Sequence, residues 1–575
     1  MDDPRSALEE MKISTAEHLP LVAAFLDRMG ISRVINDAVP TEMAVDLGSV
    51  VKLMVIDTLS GRSPLYRLEE FAGSVDTGLL LGKEVEAGSF NDTTLGRALD
   101  AIYAYGTEQL FSQVALEGAS SFPLDIDTRH VHFDTTSISV WGEYALSPDS
   151  FPGELVVTYG HSKDNRPDLK QFLIKMLCVH RNIPILGGCA SGNASDKTVN
   201  NQILMDLSSY MAKHGIRQGA FIYIADAAFV TPSNLEAIGE NLFISRLPRT
   251  YGETDRVVAE ALEKGGWTDV EREPEQKGGR KLARYRVCEN SVTISGKTYR
   301  AVVVHSDAHD KRRQKKIERV TSESLKEAGE ILDDMGKVEY YCREDAQAEA
   351  DRLRSEGTSL HCCDCTVKEK VTYSRGRPPK NGERKVSKTM YALEGKIVEK
   401  TDEIGRLREA AGCFVLLTNV TSEGEMAHTP EEILAAYKEQ HGIERNFGFL
   451  KDPVIVNDIF LKRPDRIEVL GFILLCSLLA HSLMEHVMRS YLKRNETTIT
   501  GWNKRPTNKP TTFMMTTKFK GVLIAKIDAE YYFTAPLTKV RREYVSALGL
   551  TEEMMLGRGR RREESCYRKL PGERR

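Results

Sequence analysis

Apolar positions recur at helical spacing through HLPLVAAFLDRMGISRVI and VVKLMVIDTLSG, and again through LGRALDAIYAYGTEQLFSQVA after the capping run Asn91-Asp92-Thr93. Residues 1–125 are therefore predicted to form a helical domain. Short helices separated by turns fit either a helix-turn-helix reader of DNA or a small dimerisation bundle. Near residue 126 the pattern changes to strands. VHFDTTSISVW, Val131 to Trp141, is rich in β-branched residues and carries Asp134 near its middle. LVVTYG (Leu155–Gly160) and QFLIKMLCVH (Gln171–His180) are predicted as the next two strands, separated by the polar turn HSKDNRPDLK. The second half of ASGNASDKTVNNQILMDLSSYMAKHG predicts a helix. AFIYIA, Ala220 to Ala225, reads as a strand buried on both faces, with Asp226 at its carboxyl end.

Three antiparallel strands, a helix and a buried strand open an RNase H-like fold, in which strands one and four are parallel neighbours. The predicted class is α/β: an RNase H-like mixed five-stranded sheet with helices, interrupted by an α+β insertion domain and preceded by the helical N-terminal domain. The core is expected in two pieces, 126–250 and 412–495, with the insertion at 251–411. Inside the insertion the pattern gives the strand-like KTYRAVVVHS, a charged helix from His309 to about Met335, a second helix REDAQAEADRLRSEG, and a hairpin around SRGRPPKNGER. The fifth strand is expected at Cys413–Thr418, CFVLLT. Residues 496–575 form a C-terminal segment with a basic tail, GRGRRREESCYRKLPGERR, of the kind that is usually a solubilising tail.

Thr429 to Lys451, TPEEILAAYKEQHGIERNFGFLK, is predicted as one helix. Thr429 caps it, Pro430 takes the first helical position and Glu432 completes a capping box. At about 100° per residue, Tyr437, Gln440, Glu444 and Lys451 fall on one face. A salt-bridged surface stripe is the plain alternative for such a face.

Composition changes this picture little. With 41% apolar and 28% charged residues among 575, the chain has the balance of a globular protein with several cores. A net charge of −4 does not advertise nucleic-acid binding, so any such surface must be a local basic face. Ten cysteines without a signal peptide predict reduced thiols in the cytoplasm, at the nucleoid when DNA is bound. His361-Cys362-Cys363-Asp364-Cys365 lacks the second spaced pair of a zinc site, and His305, His309 and His361 show no ligand-like convergence. The apolar run Val469–Ala480 is short of the ~20 residues that span a bilayer and predicts a buried helix.

Asp134, Asp226 and Glu444 thus fall at fold positions that converge. Carboxylate oxygens are hard ligands suited to Mg²⁺, and two such ions about 4 Å apart serve phosphodiester chemistry. The spacing Tyr437, Gln440, Glu444, Lys451 follows Y-x2-R-x3-E-x6-K, and HFDTTS, GHSKDNRPDLKQ and IADAAFV surround the first two acids. FLKDP…FLKRPDRIEVL and the amino-terminal NDTTLGRALD agree as well. Over roughly residues 10–495 the chain resembles insertion-sequence DDE transposases of the Tyr-Arg-Glu-Lys signature group. That resemblance implies binding of terminal inverted repeats and Mg²⁺-dependent cleavage and strand transfer of double-stranded DNA. It implies two ions on Asp134, Asp226 and Glu444, with Mn²⁺ able to substitute, and a homodimer in the synaptic complex. Tyr437 and Lys451 would contact phosphates beside the cut. Gln440 departs from the signature arginine, since an amide lacks the charge and the bidentate fork. Trp267, the tryptophan of the insertion, is a candidate for holding a flipped base, although packing is the commoner use of such a residue. Arg375-Gly376-Arg377-Pro378 resembles a minor-groove hook, with Arg375 and Arg377 as candidate DNA contacts beside the plain reading of a solvated turn. The rival functions are a catalytically silent DNA-binding repressor and a host RNase H-like nuclease.

Overall fold

A computed structural model describes residues 11–61, 67–144, 155–180, 182–195, 199, 220–270, 284–307, 310–376, 382–452, 459 and 461–559. The predicted helix after residue 191, His309, Arg377 and the arginine-rich tail from residue 560 lie wholly or mostly outside the described residues. By internal contacts the chain divides into residues 1–245 with 435–575, and residues 246–434. The protein is α/β, as the pattern predicts.

The first unit opens with strand β1, Lys12–Thr15, followed by helices. Helix α1, Leu47–Gly61, is buried at every position from Leu47 to Thr58. It is apolar nearly all round because it is a core helix. Its one lysine, Lys52, is 1% exposed and pairs with Asp27 at 2.5 Å. Helix α2, Asp92–Tyr105, starts where predicted, with the Asn91 side chain accepting from the Thr93 and Thr94 amides. Helix α3, Thr107–Ser120, follows.

The unit's large sheet contains β2 (His130–Val140), β3 (Lys170–Val179), β4 (Ile183–Ser191), β5 (Ile222–Ala225) and β6 (Leu242–Arg246) in the order β4-β3-β2-β5-β6. The first three run antiparallel to their neighbours, while β5 is parallel to β2 and β6 is parallel to β5. Two strand assignments differ from expectation. Leu155–Gly160 makes only an isolated bridge, Thr158 to Gln171, and Ile183–Ser191 is the third strand instead. Pro184 and the pair Gly187-Gly188 hide that strand from propensity. The glycines answer to close packing: a Cβ on Gly188 would stand 2.5 Å from the Glu108 side chain, and one on Gly187 3.1 Å from Leu475. The fifth strand of the order comes promptly, as Leu242–Arg246, and not at Cys413–Thr418. A five-residue parallel strand has no alternation to mark it, because both of its faces are buried.

The unit of residues 246–434 carries helix α4 (Gly252–Lys264) and the hairpin β7–β8 (Tyr285–Ile294, Lys297–Ser306). Helices α5 (Asp310–Gly336) and α6 (Arg343–Ser355) follow, as their charged periodicity predicts. Next come the hairpin β9–β10 (His361–Tyr373, Val386–Glu399) and strand β11 (Cys413–Thr418), which pairs antiparallel with β8. Alternation along β9 turns Cys363 and Cys365 into a core with Ala328, Ala346, Ala350, Leu353 and Leu393. His361 is buried and lies 3.0 Å from the Ser324 hydroxyl. The cysteine-rich run is therefore one side of a small hydrophobic core.

The chain then forms α7 (Pro430–Lys438), α8 (His441–Leu450) and α9 (Pro464–Arg494). Strands β12 (Leu523–Ile527) and β13 (Glu530–Phe533) follow, and β12 pairs antiparallel with both β13 and β1, so the C-terminal segment closes on the N-terminal one. Helix α9 is the one helix among the described residues long and apolar enough to cross a membrane, and 89% of its apolar window is buried inside the protein. It packs on α1, α2, α3 and β4.

The tightest of these contacts is testable. A Cβ on Gly471 of α9 would stand 2.3 Å from the Cys189 sulfur of β4. Overpacking costs about 1–3 kcal/mol, against about 1 kcal/mol that alanine gains over glycine in a helix. Gly471→Ala is expected to lower the urea unfolding midpoint in the native background and to raise it in a Cys189→Ala background. The same sign in both backgrounds would refute the contact.

Candidate active site

Strand β2 sets the geometry. In the parallel ladder with β5, Val131 pairs with Tyr223 and His132 with Ile224. Continued two residues past its last pair, that register would bring Asp134 level with Asp226, which follows β5 directly as the cap of a short 3-10 turn. Asp226 ends β5 and turns the chain: its carboxylate accepts from the Ala228 amide at 3.0 Å, and its carbonyl accepts from the Ser245 hydroxyl at 2.7 Å. Both carboxylates act on one phenol. Burial raises Tyr223 well above its ordinary pKa, and the charges of Asp226 and then Asp134 push it in the same direction.

The face on which Asp134 projects follows from β3. Asp134 pairs with Met176 and His132 with Cys178, and directly opposed residues share a face. The Asn446 amide of α8 lies 3.5 Å from the Met176 sulfur and 3.4 Å from the Cys178 sulfur. It also donates to the Asn182 carbonyl at 3.0 Å. Asn446 thus packs α8 on the face of Met176 and Cys178, whereas Glu444, two positions earlier in its first turn, lies about 200° round the helix from Asn446. The Glu444 carboxylate is exposed.

The predicted start of the 429–451 helix is observed: Glu432 accepts from the Thr429 amide at 2.8 Å, and Thr429 accepts from the Glu432 amide at 3.3 Å. The single straight helix is not. The chain breaks at Glu439-Gln440, where short-range bonds run from the Gly442 amide to Glu439 and from the Ile443 amide to Gln440. The cause is burial. Helix α7 buries Ile433, Leu434 and Ala436, whereas α8 buries Ile443, Asn446 and Leu450. On one straight helix those two sides would point roughly 110° apart. Tyr437 therefore belongs to α7, Gln440 sits at the N-cap position of α8 without a side-chain capping bond, and Glu444 lies within α8. Lys451 closes α8 as its C-cap.

Two residues without an assigned role tie this face together. Lys163, in the HSKDN turn, lies 3.7 Å from Asp134 Oδ1 and donates from Nζ to the Thr135 carbonyl at 2.8 Å and hydroxyl at 2.6 Å. Its amide donates to the Ser137 hydroxyl at 3.0 Å. The next residue, Asp164, pairs with Lys451. One turn therefore grips the strand of Asp134 with one charge and the helix of Glu444 with the opposite one. His132 is fully buried, and its Nε2 is 3.8 Å from a Glu439 carboxylate oxygen at the helix break. Alternation along β2 puts His132 and Asp134 on one face, a signal present in VHFD. The role of Lys163 has no such local mark.

Among the described residues, no group of three His, Cys, Asp or Glu is gathered closely enough to hold a metal ion. Asp134, Asp226 and Glu444 are thus not gathered into one ligand shell. In kind they suit a hard divalent cation, since all are carboxylate oxygens.

The remaining candidates lie in the other unit. Trp267 is half-buried, with the Arg286 guanidinium 4.7 Å from its ring and His305 edge-on at 6.3 Å. Arg375 is exposed at the end of the β9–β10 hairpin.

Residues 11–116, the helical segment, match the family model described as a domain of unknown function, DUF4277. A comparison of the chain with curated proteins finds no match.

The ion pair at the first acid is open to a double-mutant cycle. Lys163→Met and Asp134→Asn are each expected to shift stability, with a coupling of about 0.5–3 kcal/mol between them in urea unfolding. Additive effects would show that the two charges do not interact.

Proposed function

We propose that the chain is a DDE-class transposase that binds the terminal inverted repeats of an insertion sequence and carries out cleavage and strand transfer of double-stranded DNA. The observation that carries this reading is the parallel register of β2 against β5, whose continuation would bring Asp134 level with Asp226. The strand order three-two-one-four-five, with three antiparallel strands and two parallel ones, supports an RNase H-like core. The motif spacing supports the transposase assignment within that fold.

Asp134, Asp226 and Glu444 would hold Mg²⁺, with Mn²⁺ as the substitute. Bound there, a pair of divalent ions supplies activation of the attacking oxygen and stabilisation of the leaving one. The chain's own residues do the positioning. Lys163 holds the Asp134 strand against the turn, and Asp164 holds Lys451 beside it. Tyr437, Gln440 and Lys451 are proposed to grip phosphates next to the reacting bond. Gln440 is the weakest of them because its amide is neutral. Arg375 and Arg377 are proposed as further groove contacts. Trp267 is already engaged with Arg286 and His305, which favours packing over base capture. Joining two DNA ends calls for two copies of the chain.

The test incubates purified protein with Mg²⁺, labelled DNA from the flanks of its gene, and a target plasmid. Joined products are expected. Cleavage without joining would make the protein a nuclease, and retardation without either product a repressor. Glu444→Gln is expected to keep end binding and to lose strand chemistry by roughly a hundredfold or more, the scale of several kcal/mol. Full activity in that variant would sink the assignment.

A further inference from the structure

Beside the helix break, with Glu439 in its wall, the unit of residues 1–245 and 435–575 has a cleft of about 1300 Å³. Its walls come from α7, α8, the C-terminal turns of α9, the segment at 508–509 and the approach to β2. Six cationic side chains line it: Lys438, Arg445, Arg489, Lys493, Arg494 and Lys509. Asp125, Glu439 and Glu496 are the carboxylates, so the cleft has an excess of three positive charges in a chain whose net charge is −4. Two of the cations are preorganised. Arg489 donates to the Pro510 carbonyl at 3.2 Å and is ion-paired with Glu485 of the same helix, which compensates its charge, and Arg494 donates to the Pro123 carbonyl at 2.9 Å. Arg445, Lys493 and Lys509 are exposed. Arg445 follows Glu444 directly on α8.

We propose that this cleft is a track for the sugar–phosphate backbone of duplex DNA, gripped through phosphates and not through base edges. The cations stand on several separate elements, which suits a polyanion better than a single small anion. Lysine and arginine charges at phosphates add affinity and register without sequence information. The proposal rests on the reading of the chain as a DNA-processing enzyme, and it locates the DNA path on a surface that the signature residues do not include.

The test is the salt dependence of binding by full-length protein, read by fluorescence anisotropy. One labelled duplex carries the terminal repeat from the gene's flank, and a second has that sequence scrambled. The cleft variant replaces Lys438, Arg445, Lys493 and Lys509 with Gln. A control variant replaces Lys264, Arg319, Lys326 and Lys337, all exposed in the other unit, and so removes the same charge elsewhere. The cleft variant is expected to lose affinity for both duplexes by a similar factor, roughly tenfold or more at about 0.1 M salt, with a salt slope shallower by up to about 0.9 per lost contact. Its preference for the repeat over the scrambled duplex should stay the same. If the four-residue variant melts early, the pair Lys493→Gln and Lys509→Gln carries the same test at two exposed positions.

Native affinity and slope in the cleft variant, with wild type binding normally, would overturn the proposal and leave the transposase reading standing. An equal loss in the control variant, or a loss confined to the repeat duplex, would also overturn it. A cleft-dependent preference for an RNA duplex would reassign the partner and overturn it too. Wild-type protein that binds neither DNA would sink the parent reading together with the proposal.

Discussion

The parallel ladder between β2 and β5 is the constraint from which the rest of the candidate site hangs. Parallel neighbours in register point matching residues to the same side, and continuing that register would bring Asp134 level with Asp226. Bringing two like charges together is unfavourable without a cation between or beside them. In this protein the nearby cation is Lys163, held in place by three hydrogen bonds that do not involve Asp134 at all. Its ammonium is fixed by Thr135, and the carboxylate meets a charge that is already positioned.

The same turn explains how a helix remote in sequence keeps its place. Asp164 reaches Lys451 at the end of α8, while Asn446 lies against the sulfurs of β3 in the middle of that helix. Polar anchors at both points, with Ile443 and Leu450 buried between and beyond them, fix the rotation of α8 about its axis. That rotation turns Glu444 outward, where it is exposed. The break at Glu439-Gln440 follows from it, because α7 buries a different side of the chain. A helix that had stayed straight would have satisfied one burial pattern and exposed the other.

Glu439, at that break, lines the basic cleft and lies 3.8 Å from the buried His132. The proposed reaction divides into two tasks. Phosphates along the backbone are held by dispersed lysines and arginines, whose long side chains tolerate variation in DNA sequence. The reacting phosphate is left to the carboxylates and their ions. A neutral Gln440 is easier to accommodate when cationic grip is supplied nearby by Lys438 and Arg445.

Several features were legible from the chain alone because their causes are local. The capping box of Thr429 and Glu432, the strand of Asp134, the core helix around Val469–Ala480 and the long charged helix of the second unit all follow from contacts within a few residues. The parallel pairing of the strand of Asp134 with the buried run Ile222–Ala225 also follows from the strand order that the pattern predicts. What only the tertiary structure decided depends on partners far away in sequence. Gly187-Gly188 belong to a strand because Leu475 and Glu108 crowd them, and Leu242–Arg246 is the fifth strand because both of its faces are covered. The polar stripe from Tyr437 to Lys451 was an inference from a straight helix, and the sheet beneath α8 bends it away. Lys163, more than 25 residues from the acid it pairs with, carries no local mark of that role. Periodicity reports which side of an element is buried; it does not report against what, and the pairing of charges across the acid face is settled by that second fact.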